Sequence, residues 1–200
     1  MTDTVTWSEV ALGAVNGLVL ATGVAYAVLA ARRNRLCWIA GAVSSACAAA
    51  LFGLNKLPMQ AGLQVFYVAM SVYGWWSWKR SAGEGELPVG LWPLRWHLAA
   101  ALGLAGLSLV SAYWLRPTNA SAWPLLDAST TWFSLLATWL AARAKLENWL
   151  YWVVINAVLV FLSFAQEVWG MALLSVFLMV IAIGGFMGWR RRLRLQGAPA

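Results

Sequence analysis

The sequence predicts an all-α integral membrane protein with seven spanning helices, and three observations carry that reading. The first is composition. Of the 200 residues, 62% are hydrophobic and only 10% charged, whereas water-soluble domains carry about 25% charged residues. The second is segmentation: Val10–Ala31, Leu36–Leu54, Pro58–Trp78, Trp96–Leu115, Trp123–Ala142, Trp149–Ala165 and Val168–Trp189 each approach the roughly 17–25 apolar residues that a span requires. Connections between them are short, the longest being Ser81–Arg95, and no stretch is left for a water-soluble domain. The first stretch lacks the basic front and small-residue cleavage site of a removable signal peptide.

The third observation is where the cations fall. With the N-terminus outside, the inner connections and tail hold Arg32, Arg33, Arg35, Lys79, Arg80, Arg95, Arg143, Lys145, Arg190, Arg191, Arg192 and Arg194, leaving only Lys56 and Arg116 outside. That asymmetry is the positive-inside pattern and predicts an N-out, C-in topology, although Asp3, Glu9 and Glu167 outside contribute little to it. The formal charge of +7 does not point to nucleic acid, because the cations lie between apolar stretches and at the C-terminus and form no single basic face. Cys37 and Cys47 make no Cys-x-x-Cys pair and read as small packing residues rather than a disulfide or metal set.

The third stretch organises the chain. Within QAGLQVFYVAMSVYGWWSWKR, Gln60, Gln64, Tyr67, Ser71 and Trp75 recur at helical spacing and share one face. A polar face at membrane depth turns toward protein or a water-filled cavity. An ungapped shift of 114 residues places Asn34 on Asn148, Trp38 on Trp152, Gly74 on Gly188, Trp75 on Trp189 and Arg80 on Arg194. Two three-helix units, about 9–80 and about 123–194, then enter the membrane from the same side, separated by a linker helix at about 92–116. This is the plan of parallel-repeat transporters, whose substrate site lies near mid-membrane between the repeats.

Gln64–Arg80 and Ala142–Phe161, the latter containing Glu147-Asn148-Trp149-x-x-Trp152-x-x-x-Asn156, resemble the two signature regions of the PnuC family of bacterial vitamin transporters. Tyr73-Gly74-Trp75, Asp127 with its Ser/Thr-containing helix, and the second half to about Arg192 are similar to it as well. The resemblance implies a SWEET-like three-plus-one-plus-three fold, an inner-membrane location, facilitated diffusion of nicotinamide riboside and, commonly, a homotrimer. It also implies that cytosolic phosphorylation draws the vitamin inward. Relatives of the same fold carry thiamine, and the quoted motifs do not separate the two.

Candidate substrate contacts follow from faces and chemistry. Asn148, Trp152 and Asn156 line one face of the sixth helix, with Trp149 one position round. A buried amide needs a hydrogen-bonding partner, so Asn156 calls for substrate or a neighbouring helix; Gln64 poses the same choice. Trp149, Trp152, Tyr67 and Trp75 offer the aromatic surface that suits a flat cationic ring. Thr131 and Ser134 share a face with Asp127 and Thr138, although hydroxyls at such depth often bond their own helix. Asp127 and Glu147 read as helix N-terminal residues, His97 as an interfacial residue, and Trp7, Trp78, Trp92, Trp96, Trp114, Trp123, Trp169 and Trp189 as belt anchors.

No phosphate-binding Gly-x-x-x-x-Gly-Lys-Ser/Thr motif occurs, and no cofactor is expected. No Asp, Glu, Lys or Arg occupies the middle of a span, which favours uniport over proton-coupled pumping. An enzyme would need a catalytic base at depth, which is absent beside Ser134 and Ser163. A scaffold packed through Gly13-x-x-x-Gly17 and Gly184-x-x-x-Gly188 is the remaining alternative.

Overall fold

The computed structural model describes residues 7–56, 58–80, 87–115 and 122–196. Asp3 and Arg116 lie outside them, as do the side chains of Trp7 and Glu9. The described residues form α1 (Trp7–Ala31), α2 (Cys37–Leu54), α3 (Pro58–Arg80), α4 (Leu94–Leu115), α5 (Pro124–Ala142), α6 (Asn148–Ala165) and α7 (Trp169–Gln196), with no strand among them. These match the expected stretches, except that α7 runs on through its arginines. Five of the helices, α1, α2, α4, α6 and α7, are long and apolar enough to cross a membrane. The other two, α3 and α5, carry the denser polar sequence, including Gln60 and Gln64 in one and Asp127 through Thr138 in the other.

The chain divides into a first unit ending at Glu84 and a second beginning at Gly85. In the first, α2 packs against both α1 and α3. Ser44 Oγ donates to the Val19 carbonyl at 2.9 Å, tying α2 to α1. The Trp38 indole, 1% exposed, lies flat on Gly74 of α3, where a Cβ would collide with the ring. Trp78 meets Trp38 edge-on, with centroids 5.4 Å apart at 87°.

In the second unit α4 packs on α5, α5 on α6, and α6 on α7. The α6–α7 contact repeats the arrangement of α2–α3. Trp149 lies on Gly185, where a Cβ would come within 2.7 Å of the ring, and Trp189 meets it edge-on at 5.5 Å and 85°. Lipid supplies no hydrophobic drive between helices, so close backbone approach at small residues carries such contacts. Gly184, by contrast, has open space where its Cβ would lie, as have Gly13 and Gly17. The packing glycine is Gly185.

Helix ends repeat as well. Among the described residues, four other than glycine have left-handed backbones: Arg33 (φ 63°), Lys56 (φ 57°), Ala144 (φ 50°) and Glu167 (φ 59°). After α1, Arg33 N donates to Ala30 O and Asn34 N to Leu29 O; after α5, Ala144 N donates to Ala141 O and Lys145 N to Leu140 O. After α6, Glu167 N donates to Phe164 O and Val168 N to Ser163 O. These paired bonds are Schellman closures, which satisfy the last carbonyls of each helix.

Residues 33 and 144, 38 and 149, 56 and 167, 74 and 185, and 78 and 189 are all 111 apart. The structural correspondence is therefore 111 residues, and the letter match at 114 is three residues out of register. Trp75/Trp78, Trp149/Trp152 and Gly185/Gly188 each differ by three, nearly one turn of helix, so the letters agree at either shift and only packing separates them.

Burial also revises the tryptophans. Trp96, Trp114, Trp123 and Trp169 are exposed, as anchors should be, but Trp78 and Trp189 are 6% and 0% exposed and belong to the helix contacts.

Two outcomes follow. Gly185→Ala should destabilise the folded protein by about 1–3 kcal/mol through overpacking, lowering its thermal midpoint in detergent. Glu167→Gly should raise that midpoint, since an exposed side chain is removed from a left-handed position that costs about 1–2 kcal/mol for a residue with a Cβ.

Candidate functional site

In the first unit the predicted contacts lie along α3. Gln64, Tyr67 and Trp75 are half-buried. Tyr67 meets Phe66 edge-on at 5.8 Å. Arg35, at the turn into α2, places its guanidinium 5.1 Å from the Trp75 ring centroid, an attraction that engages one ring face.

In the second unit the α5 hydroxyls turn inward on their own helix. Thr131 Oγ1 donates to Asp127 O at 3.0 Å, Ser134 Oγ to Thr131 O at 2.8 Å, and Thr138 Oγ1 to Ser134 O at 2.8 Å. On α6, Asn156 is buried and its Nδ2 donates to Trp152 O at 2.7 Å. Asn148 is buried, with Nδ2 donating to Lys145 O at 2.6 Å and Oδ1 without a partner. Trp152 is half-buried on that face. Trp149 is committed to the Gly185 contact, its Nε1 buried without an acceptor.

Glu147 has a different role from the capping expected of it. It stands at the N-cap of α6 but makes no side-chain cap hydrogen bond; instead its Oε1 accepts from Trp92 N at 2.9 Å. The segment before α4 is laid along the α5–α6 turn: Gly90 N donates to Ala144 O at 3.1 Å and Leu146 N to Gly90 O at 3.0 Å, while Lys145 Nζ donates to Leu91 O. Val89 is buried there. Trp92 packs edge-on against both Trp139 and His97, so it too is a packing residue rather than an anchor.

His97, expected at the interface, closes one end of a groove. Its Nδ1 is 2.9 Å from the Tyr151 hydroxyl and its Nε2 is 3.8 Å from Glu147 Oε1, too long for a hydrogen bond. From this end a groove of about 480 Å³ runs between α5 and α6, past Phe133 and Tyr151 to Leu126 and Val158. Phe133, Tyr151 and His97 form a stacked column along it, with Tyr151 at 23° to each of the other two rings. Ser129 and Thr130 line it, but both hydroxyls bond carbonyls of α5. None of Thr131, Ser134, Asn148, Trp149, Trp152 and Asn156 lines the groove. Glu147, Tyr151, Val154 and Val158 do share a helical face, a signal present in the spacing; the arrival of His97 from α4 and of Trp92 from the segment before it carries no local signal.

The sequence profile of the family described as nicotinamide mononucleotide transporter matches residues 14–191. The chain belongs to that family. It is 29% identical over 181 residues to the nicotinamide riboside transporter PnuC of Escherichia coli (strain K12), covering 75% of each chain. It is also 28% identical over 164 residues to the riboflavin/roseoflavin transporter RibM of Streptomyces davaonensis, covering 75% of this chain and 76% of the relative. Its fold resembles the crystal structure of the vitamin B3 transporter PnuC, with a TM-score of 0.69 and 19% identity over 90% of this chain and 82% of the other. Membership accords with a multi-pass membrane protein, and the PnuC resemblance read from Gln64–Arg80 and Ala142–Phe161 is upheld.

Removing the Glu147 acceptor should release the segment before α4. Glu147→Ala leaves the Trp92 amide without a partner, a loss of about 1–3 kcal/mol if it stays buried, so hydrogen exchange at residues 89–92 should accelerate. Glu147→Gln keeps an oxygen acceptor and should leave exchange near the parent rate.

Proposed function

We propose that the protein takes up nicotinamide riboside across the bacterial cytoplasmic membrane by facilitated diffusion. The observation that carries this reading is the family match over residues 14–191, with the similarity to the E. coli riboside transporter in support. The topology proposed is three helices, a linker helix and three helices, N-out and C-in. It is supported by the alternating cations and by the packing motif that recurs 111 residues apart. The lack of charged residues in mid-helix supports uniport by alternating access. The assembly proposed is a homotrimer.

The contacts proposed are Gln64, Tyr67 and Trp75 on α3, Thr131 and Ser134 on α5, and Asn148, Trp152 and Asn156 on α6. Trp149, seated on Gly185, positions the α6 face. Aromatic surface suits a pyridinium ring, and amides suit the ribose hydroxyls. The similarity to RibM supports riboflavin as the second reading; thiamine is the further comparator.

Purified protein in liposomes should give saturable riboside uptake that is insensitive to a sodium or proton gradient. Asn156→Ala should weaken riboside binding about fivefold or more, as expected for a lost hydrogen bond of roughly 1 kcal/mol. Flux of riboflavin or thiamine without riboside would replace the substrate, and unchanged affinity in Asn156→Ala would assign that residue to packing.

A further inference from the structure

Glu147 and His97 stand side by side in the second unit, and each keeps one polar atom that nothing satisfies. Glu147 Oε2 and His97 Nε2 are both shut off from water without a hydrogen-bond partner. The remaining atoms of the two groups are engaged, since Oε1 accepts from Trp92 N and Nδ1 lies 2.9 Å from the Tyr151 hydroxyl. The groove that they close offers no other donor. Its walls are otherwise apolar apart from Ser129 and Thr130, whose hydroxyls donate to carbonyls of α5. Two buried polar atoms left this way are costly, and the gap between His97 Nε2 and Glu147 Oε1 is only 3.8 Å. A movement of about 1 Å would make it a charge-assisted hydrogen bond.

No other charge compensates the carboxylate. On α4 the Arg95 guanidinium lies over Trp96, and at the end of α5 that of Arg143 lies over Trp139. In the turn between α5 and α6, Lys145 Nζ donates to Leu91 O. The other titratable group here on α6 is Tyr151, already on Nδ1. Among the described residues no lysine or arginine forms an ion pair with Glu147. With a neutral imidazole, the pair therefore carries a net negative charge at atoms that water does not reach, which is unfavourable. One added proton makes it an imidazolium beside a carboxylate, with no net charge, and imidazole takes up protons between about pH 5 and 8.

We propose that His97 and Glu147 form a proton-binding site that locks the segment before α4 onto α6. The proton comes from water and is held on Nε2, which donates to the Glu147 carboxylate, while Nδ1–H donates to the Tyr151 hydroxyl. An unbroken chain of hydrogen bonds then runs from Tyr151 through His97 and Glu147 to the Trp92 amide, reinforcing the two bonds that Gly90 makes with Ala144 and Leu146. Losing the proton restores the net negative charge and loosens the chain. Because locking takes up a proton, lower pH favours it. In the first unit the position 111 residues before Glu147 is Leu36, so the turn after α1 has no such acceptor and serves as an internal control.

The test is hydrogen exchange of the full-length protein in detergent at about pH 6 and about pH 8.5, on either side of much of the imidazole range. Each rate is divided by that of an unstructured peptide of the same sequence at the same pH, which removes the base catalysis of exchange itself. Protection at residues 89–92 should fall about tenfold as the pH rises, the scale of a hydrogen bond to a charged group, while protection at residues 34–37 should change little. His97→Gln and Glu147→Gln are each uncharged at both pH values and should make protection at 89–92 independent of pH. The second also keeps an acceptor for Trp92, so it decides the matter even where the first fails to fold. Equal protection of the parent at the two pH values, or a pH dependence surviving in either folded variant, would overturn the proposal. The measurement uses no vitamin, so its outcome is independent of the substrate and of flux.

Discussion

An indole lying flat on a glycine joins α2 to α3 and α6 to α7, and much of each unit's arrangement depends on that contact. In lipid, two helices gain little from apolar surface, which the surrounding acyl chains cover equally well. What they gain is dispersion contact, and a tryptophan ring against bare backbone provides a large, close area of it. Trp38 and Trp149 also fix rotation. Once Trp149 is seated on Gly185, the directions of Asn148, Trp152 and Asn156 about the α6 axis follow from helical geometry alone.

A second constraint is that polar groups at depth must be satisfied nearby. The hydroxyls of α5 and the Asn156 amide meet it within their own helices. Glu147 follows another logic. Its carboxylate reaches across the chain to the Trp92 amide, so one end of α6 is tied to the segment leading into α4, and its other oxygen is left beside the groove.

Legibility in the sequence varied with the range of the interaction. Helix extents were readable because twenty or so apolar residues are needed to cross lipid, and that requirement is local. The family was readable because Glu147 through Asn156 and Tyr73-Gly74-Trp75 are contiguous patterns. Tryptophan was harder: Trp96 and Trp114 are exposed near helix ends while Trp78 and Trp189, also near helix ends, are buried. An indole serves interface and interior equally well, so its letter does not distinguish them. The letters place the repeat spacing three residues away from the packing for a similar reason, since tryptophans and glycines recurring at one-turn intervals match at two shifts.

By itself the sequence determined the seven helices, their polar faces, the cation asymmetry and the family, because each is written in local spacing or in contiguous motifs. Tertiary structure alone decided which of two tryptophans one turn apart meets the glycine, that Glu147 binds the Trp92 amide rather than capping α6, and that His97 and Tyr151 close a groove. Those outcomes depend on contacts between residues as many as 55 positions apart, where helix rotation and approach are set by packing and no local pattern records them.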